Sequence, residues 1–123
     1  MKRVLIVEDQ ADIRKLIRMT LEFEHHEIHE ATDGASGLRL ARAVRPDVLL
    51  LDVMMPGEMD GLQVCRAIKR DPATRGIQVV LLTARGQARD RDAGRQAGAD
   101  DYLVKPFSPL QLIDTVERLL VAA

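Results

Sequence analysis

Three short apolar runs, none of which alternates with polar residues, constrain the fold of this chain more than any other feature. They lie at residues 4–7, 48–51 and 79–82. A strand made only of apolar residues must be covered on both faces, which is typical of a parallel sheet between two layers of helices. Weaker runs at 28–31 and 102–104 are predicted to be strands nearer the edges of that sheet.

Helical periodicity fills the segments between these runs. Apolar residues recur at i, i+3 and i+4 on four segments, as on a helix that buries one face. The predicted stripes are Ile13, Leu16, Ile17, Thr20 and Leu21 on the first helix; Leu38, Ala41 and Val44 on the second; Leu62, Cys65 and Ile68 on the third; and Ile113, Val116 and Leu120 on the fifth. The fourth segment, at about 87–97, has only alanines as apolar residues, and its surroundings are rich in arginine (Arg85, Arg89, Arg91 and Arg95), so we expect a marginal and mobile helix there.

Strand and helix therefore alternate five times along the chain. This order predicts right-handed βαβ units in an α/β fold. With the three most apolar strands in the middle, the predicted sheet is five-stranded and parallel in the order 2-1-3-4-5, the doubly wound, flavodoxin-like (βα)5 arrangement. The 123 residues suffice for one core, so we interpret 1–123 as a single domain.

Composition excludes several classes of function. The net charge is -1, from 18 basic and 19 acidic residues, which gives no electrostatic attraction for nucleic acid in general. Aromatic residues are 2% of the chain, too few for stacking on single-stranded nucleic acid. One cysteine, Cys65, excludes a disulfide within the chain, and no apolar stretch approaches the length of a membrane span. We therefore predict a cytoplasmic domain with no direct contact to nucleic acid or membrane.

Polar residues that directly follow the strands should meet at one edge of the sheet, where open α/β sheets bind ligands. They are Glu8 and Asp9 after the first strand, Asp52 after the third, Thr83 after the fourth and Lys105 after the fifth. Three neighbouring carboxylates raise one another's pKa values unless a cation joins them. Oxygen ligands without histidine or cysteine suit Mg²⁺, which is the predicted cofactor.

The same residues suit the transfer of a phosphoryl group. A metal and Lys105 would neutralise the phosphoryl oxygens, and Thr83 could donate a hydrogen bond to one of them. Asp52 is the best candidate for the nucleophile, because it ends the central strand and can occupy the middle of the site.

With these residues in place, the chain resembles the receiver domain of two-component response regulators over essentially its whole length. The residues that carry the resemblance are Glu8, Asp9, 52–56 with Asp60 and Gly61, Thr83, Ala84, 98–102 and 105–107. Each motif is weak alone, but their order and their positions at strand ends make the set specific. The resemblance implies that Asp52 accepts a phosphoryl group from a sensor histidine kinase or a histidine phosphotransfer protein.

The resemblance also implies roles for the neighbouring residues. Asp9, Asp52 and the backbone carbonyl of Met54 would bind Mg²⁺, with Glu8 acting mainly through a metal-bound water. Lys105 would contact the phosphoryl group, and its peptide bond to Pro106 is expected to be cis.

A switch is implied as well. Thr83 would move toward the phosphoryl group and Tyr102 would turn inward, which would remodel the surface of the fourth helix, fifth strand and fifth helix. That surface would contact a downstream effector whose identity is open, and the chain would be a monomer or a weak dimer through it. The domain would catalyse its own phosphorylation and dephosphorylation but turn over no separate substrate.

One loop departs from the common family pattern, and two side chains near the predicted site are expected to tune its chemistry. The loop at 55–61 has one residue more than usual, and we interpret Glu58 as the insertion, which we expect to affect partner contact or access. Met54 and Arg85 lie two positions after Asp52 and Thr83, and we expect both to tune the lifetime of the phosphate.

Other interpretations remain open from the sequence. An FMN-binding carrier would need a loop rich in Ser, Thr or Gly after the first strand, whereas the loop at 8–12 is acidic. A receiver-like module that binds proteins without phosphorylation is a further alternative. We predict that His25, His26 and His29 are solvated rather than metal ligands, and that Cys65 packs in the core. Whether the chain is a complete regulator or the receiver of a longer protein is also open.

Overall fold

Strands and helices alternate throughout the computed structural model, which describes residues 2–84 and 88–122. In chain order the elements are β1 (Arg3–Val7), α1 (Ala11–Glu22), β2 (Glu27–Ala31), α2 (Gly34–Val44), β3 (Val48–Asp52), α3 (Gly61–Arg70), β4 (Gln78–Thr83), α4 (Ala88–Gln96), β5 (Asp101–Val104) and α5 (Pro109–Ala122). Among the helices of the described residues, none is long and apolar enough to cross a membrane.

The five strands form one parallel sheet in the order β2-β1-β3-β4-β5. The three apolar runs occupy its middle, and the two weaker strands lie at its edges. The register pairs Val7 with Leu51, and Asp52 with Leu82, so the carboxyl ends of the central strands lie side by side. The predicted α/β fold and strand order are confirmed.

Two separate layers of apolar side chains cover the sheet. On one face, α1 and α5 contribute Ile17, Leu21, Leu112, Val116 and Leu119. On the other face, α2 and α3 contribute Leu38, Ala41, Val64, Cys65 and Ile68. Successive strand residues point to opposite layers, which explains why continuous apolar runs were needed.

The buried residues of two helices differ in part from the predicted stripes. Leu16 is 45% exposed, whereas Ile17 and Leu21 are fully buried. On α5 the buried positions are Leu112, Val116 and Leu119, and Leu120 is only partly buried. Adjacent residues on a helix point about 100° apart, so a helix that rests on a flat sheet buries one narrow line of side chains. Periodicity found both helices and the buried line of α1, where Leu16 was one residue too many, but it placed the buried line of α5 one position off at two of three residues.

The start of α3 is fixed tightly beneath the end of β3. Asp60 accepts a hydrogen bond from the backbone N–H of Gln63, and the Gln63 side chain accepts one from the N–H of Asp60. This reciprocal pair caps the helix. A Cβ atom at Gly61 would overlap the carbonyl oxygen of Asp52, so only glycine allows this close approach. The position of Asp52 is thereby tied to the helix that follows it.

Candidate functional site

Four charged side chains meet at the carboxyl edge of the sheet, as the strand ends predicted. One oxygen each from Glu8, Asp9 and Asp52 lies within 4.8 Å of the others. The ammonium group of Lys105, which follows β5, lies 2.7 Å from Glu8 Oε1 and 3.3 Å from Asp52 Oδ1. We call these four residues the acidic end. It holds three carboxylates and one cation.

Burial makes this imbalance of charge costly. Glu8 is fully buried and Asp52 is 3% exposed. Burial raises the pKa of Asp52 to about 7, with a further contribution from the hydrogen bond and charge of Glu8, while Lys105 opposes the rise. For Lys105, burial acts to lower the pKa, but the hydrogen bond to Glu8 and the charge of Asp52 outweigh it and the pKa is raised. The mutual repulsion expected from the sequence is therefore present at Asp52.

Asp9 supplies the clearest sign that a cation belongs here. Its Oδ1 atom is buried and has no hydrogen-bond partner, the single such side-chain oxygen or nitrogen within the described part of the chain. A buried carboxylate oxygen without a partner is unfavourable unless an ion or ordered water meets it. Three carboxylates with no histidine or cysteine form a hard oxygen donor set that fits Mg²⁺.

The loop after β3 presents backbone groups next to this set. The N–H of Met54 donates to Asp52 Oδ1 at 3.2 Å, and the N–H of Gly61 donates to the Val53 carbonyl at 3.0 Å. The Met54 side chain is 66% exposed beside the site. Whether the Met54 carbonyl binds a metal stays a prediction.

Thr83 and Tyr102 line a neighbouring cavity rather than the acidic end itself. This cavity has a volume of about 260 Å³ and lies between α4 and the sheet. Its walls include Leu81, on which Gly94 of α4 packs closely, because a Cβ at Gly94 would lie 2.9 Å from Leu81 Cδ1. The guanidinium of Arg91 lies 4.9 Å from the centre of the Tyr102 ring. The two residues predicted to switch therefore share one unfilled space.

The remaining predictions have different outcomes. The peptide bond between Lys105 and Pro106 is cis, as expected. Cys65 is fully buried, and burial raises the pKa of its thiol to about 11. His29 pairs with Glu27 at 2.8 Å, and the three histidines form no metal-binding group within the described residues. Arg85 lies outside the described residues.

The sequence did not predict the part taken by Arg14. Its Nη1 atom donates to the carbonyl oxygen of Glu8 at 2.9 Å, beside the acidic end. The available signal was an arginine in the first turns of a helix that directly follows two acidic residues.

The fold and the acidic end together match one family. A family model described as response regulator receiver domain matches residues 4–117, and the chain belongs to that family. Receiver domains of two-component systems interact with histidine kinases or phosphotransfer proteins and with downstream effectors. Membership favours the receiver interpretation over a flavin carrier.

Individual relatives agree with this assignment. The transcriptional regulatory protein ResD of Bacillus subtilis (strain 168) is 44% identical over 118 residues, which are 96% of this chain and 48% of ResD. The chain thus spans about half the length of this curated relative. The chemotaxis response regulator CheY4 of Vibrio cholerae is similar in structure, with a TM-score of 0.91 at 33% identity over 97% of this chain and 98% of that one.

One solved structure is similar and contains a metal. It is the receiver domain of sensor histidine kinase PA1611 from Pseudomonas aeruginosa PAO1, with a magnesium ion coordinated in the active site cleft. Its TM-score is 0.89 at 30% identity, over 98% of both chains.

Proposed function

We propose that this domain accepts a phosphoryl group on Asp52, in the presence of Mg²⁺, from a histidine kinase or a histidine phosphotransfer protein. The observation that carries the proposal is the unpartnered, buried Oδ1 of Asp9 beside the buried carboxylate of Asp52. Asp9, Asp52 and the Met54 carbonyl would hold the metal, and Glu8 would act through a metal-bound water. The magnesium ion in the similar PA1611 receiver domain supports this assignment.

Asp52 must be ionised to act as a nucleophile. Burial and the neighbouring Glu8 raise the pKa of Asp52 to about 7, which disfavours the ionised form near neutral pH. A divalent cation supplies positive charge that favours the carboxylate and neutralises the phosphoryl oxygens. In the transfer, an Asp52 oxygen bonds to phosphorus while the phosphorus–nitrogen bond of the donor phosphohistidine breaks, and the imidazole leaves with that electron pair.

Lys105 has a second role in this scheme. In the unphosphorylated protein its ammonium group pairs with Glu8 and Asp52. A phosphoryl group on Asp52 would bring further negative oxygens within reach of the same ammonium. Lys105 would then exchange part of its contact with the carboxylates for a charge-assisted bond to phosphate.

The output would be a change at the α4, β5 and α5 surface. Thr83 would turn toward the phosphoryl group, and Tyr102 would enter the cavity that both residues line. The apolar residues that α4 contributes to that cavity are only Ala93 and Gly94, beside Arg91 and Arg95, which leaves space for the ring between α4 and the sheet.

The direct test is phosphorylation with acetyl phosphate and Mg²⁺, read by intact-protein mass spectrometry. We expect wild-type protein to gain one phosphoryl group and Asp52→Asn to gain none. Omission of Mg²⁺ should prevent the gain. No mass gain on wild-type protein would overturn the proposal and favour an interaction module that works without phosphate.

The switch can be followed in the same samples, because Tyr102 is the only tyrosine and the chain has no tryptophan. Beryllofluoride with Mg²⁺, an analogue of the phosphoryl group, should change the tyrosine fluorescence of wild-type protein. Thr83→Ala should still bind the analogue but show a smaller fluorescence change. An unchanged spectrum in wild-type protein that has bound the analogue would refute the role of Tyr102.

A further inference from the structure

Arg14 lies on α1 just outside the acidic end and binds its backbone. Its Nη1 atom donates to the Glu8 carbonyl oxygen at 2.9 Å and lies 3.4 Å from the Asp9 carbonyl oxygen. Its Nε atom pairs with Glu30 Oε1, at the end of β2, at 3.3 Å. The side chain is only 21% exposed. One guanidinium therefore joins the acidic loop after β1 to both α1 and β2.

The loop is held from two sides at this point. The N–H of Glu8 donates to the Ala31 carbonyl of β2 at 3.1 Å. From the other side, Arg14 donates hydrogen bonds to the carbonyl oxygens of Glu8 and Asp9. The N–H of Gln10 donates to Glu8 Oε2 at 3.2 Å. Asp9 is the residue whose Oδ1 atom stays buried without a partner, so its backbone must be fixed for that atom to remain in place.

We propose that Arg14 is a positioning residue for the Mg²⁺ site. It fixes the backbone of Glu8 and Asp9 so that the Asp9 carboxylate is already directed at the metal before the metal binds. Groups that orient metal ligands in this way lower the cost of assembling the site. This inference rests on the proposed function only in that Mg²⁺ binds the acidic end.

The charge of Arg14 and its positioning role predict opposite changes in Mg²⁺ affinity when the side chain is removed. A guanidinium near the acidic end repels a divalent cation, so its removal should strengthen Mg²⁺ binding if charge were its whole effect. If Arg14 acts by positioning, its removal should weaken Mg²⁺ binding instead. The two explanations therefore differ in the sign of the change.

Arg18 provides a matched control on the same helix. It lies one turn beyond Arg14 and pairs with the same Glu30 at 2.7 Å, and also with Glu22 at 2.8 Å. Arg18→Ala thus removes an arginine from the same surface and the same carboxylate, while the bonds from Arg14 to the loop remain. Arg14→Lys keeps the positive charge but loses the planar fork that serves two acceptors and Glu30 together.

The experiment is isothermal titration calorimetry of Mg²⁺ into wild-type protein, Arg14→Ala, Arg14→Lys and Arg18→Ala, with circular dichroism to verify folding. We expect Arg14→Ala to bind Mg²⁺ about tenfold more weakly, as is typical when a group that orients a metal ligand is lost. Arg14→Lys should lie between Arg14→Ala and wild type. Arg18→Ala should stay within about twofold of wild type, because Arg18 pairs with Glu22 and Glu30 rather than with the backbone of the acidic loop.

Several results would overturn the inference. Unchanged or tighter Mg²⁺ binding by Arg14→Ala would do so while leaving the proposed function standing, and so would an equal loss in Arg18→Ala. If Arg14→Ala does not fold, Arg14→Lys decides: weaker binding supports positioning, and wild-type binding refutes it. Absence of Mg²⁺ binding by wild-type protein would defeat both the inference and the metal site of the proposed function.

Discussion

Both ends of the sheet contain a lysine among carboxylates, but the two lysines are in opposite situations. At the acidic end, Lys105 is 16% exposed and pairs with two of the three carboxylates, Glu8 and Asp52, while Asp9 keeps an oxygen without a partner. At the amino ends of β4 and β5, Lys69 is 18% exposed and pairs with one carboxylate, Asp100, at 2.8 Å. The first arrangement is short of positive charge, and the second is balanced.

The hydrogen bonds of the balanced cluster are also satisfied. Lys69 Nζ donates to the Ile77 carbonyl at 2.7 Å and to the Arg75 carbonyl at 3.2 Å. Asp100 Oδ2 accepts from the N–H of Val79 at 2.7 Å. We call this group the Lys69 cluster; it joins α3, the start of β4 and the turn before β5. No added cation is needed to balance its charge.

The difference separates a structural ion pair from a binding site. A partly buried pair whose donors and acceptors are all used contributes to holding elements together. A buried set with surplus negative charge is unfavourable until a ligand arrives, and that unfavourable energy increases the affinity for a cation. Exposure of the two lysines is nearly equal, so burial alone does not distinguish them.

The largest expected effect comes from removing each lysine in turn. Lys105→Met leaves Glu8 fully buried without a cation, and should lower the free energy of unfolding by about 3 kcal/mol at pH 8 without Mg²⁺. Added Mg²⁺ at millimolar concentration should restore part of that loss, since a ligand of the folded state stabilises it. The measurement is urea denaturation followed by circular dichroism.

Lys69→Met is the matched control for this comparison. It should also be destabilised, because the carbonyls of Arg75 and Ile77 lose their shared donor, but Mg²⁺ should stabilise it no more than it stabilises wild type. If Mg²⁺ rescued both variants equally, the distinction between the two ends would be wrong.

A smaller effect is expected from breaking the Lys69 cluster at its acid. Asp100→Ala leaves the N–H of Val79 and one bond of Lys69 unpaired, and should cost about 2 kcal/mol of stability. Mg²⁺ affinity should not change, because Asp100 lies at the other end of the sheet. Arg118→Ala, which breaks the more exposed pair with Asp101, should cost no more than about 1 kcal/mol.

Cys65 reports on the same region. Its Sγ atom donates to the Ala97 carbonyl at 3.4 Å, next to the turn that Lys69 holds, and it is the only cysteine. Burial raises the pKa of this thiol to about 11, so it should react slowly with thiol reagents at pH 8. Asp100→Ala should speed that reaction and Arg118→Ala should not; equal rates in all three proteins would contradict the assigned role of the cluster.

The sequence predicted the fold well because its strongest signal, the continuous apolar runs, depends only on burial. It predicted the members of the acidic end because parallel strands bring their carboxyl ends to one edge. It included Leu16 in the buried face of α1 and misplaced that of α5, because neighbouring residues such as Leu16 and Ile17 are equally apolar and only the sheet selects between them.

The contacts made by long side chains could not be predicted from the sequence. Lys105 and Glu8 are 97 residues apart, and the sequence indicated a lysine that faces phosphate rather than one that already pairs with Glu8. Arg14 and Lys69 resembled ordinary surface cations, since nothing local indicates that their head groups reach backbone carbonyls in another element.

The smallest expected effect is a gain in stability that tests the unfavourable charge directly. Because the pKa of Asp52 is raised in the folded protein from 3.8 to about 7, the folded state holds this proton more tightly than the unfolded state does. Stability from Asp52 is therefore greatest below about pH 4 and is lost as the pH rises toward 7. Asp52→Asn removes that loss, so at pH 8 its free energy of unfolding should exceed that of wild type by roughly 1 kcal/mol. Its melting temperature should then be at least about 4 °C higher at pH 8, with little difference at pH 4.

Thermal unfolding by circular dichroism, scanned from about pH 4 to 8 with and without Mg²⁺, checks this expectation. Mg²⁺ should narrow the gap, because it stabilises wild-type protein through the ionised Asp52 and can stabilise Asp52→Asn much less. Asp114→Asn, which removes an exposed carboxylate of α5, controls for the change in net charge. A melting difference that did not grow with pH would mean that the surplus negative charge at the acidic end is relieved in another way, and the contrast with the Lys69 cluster would then rest on the unpartnered oxygen of Asp9 alone.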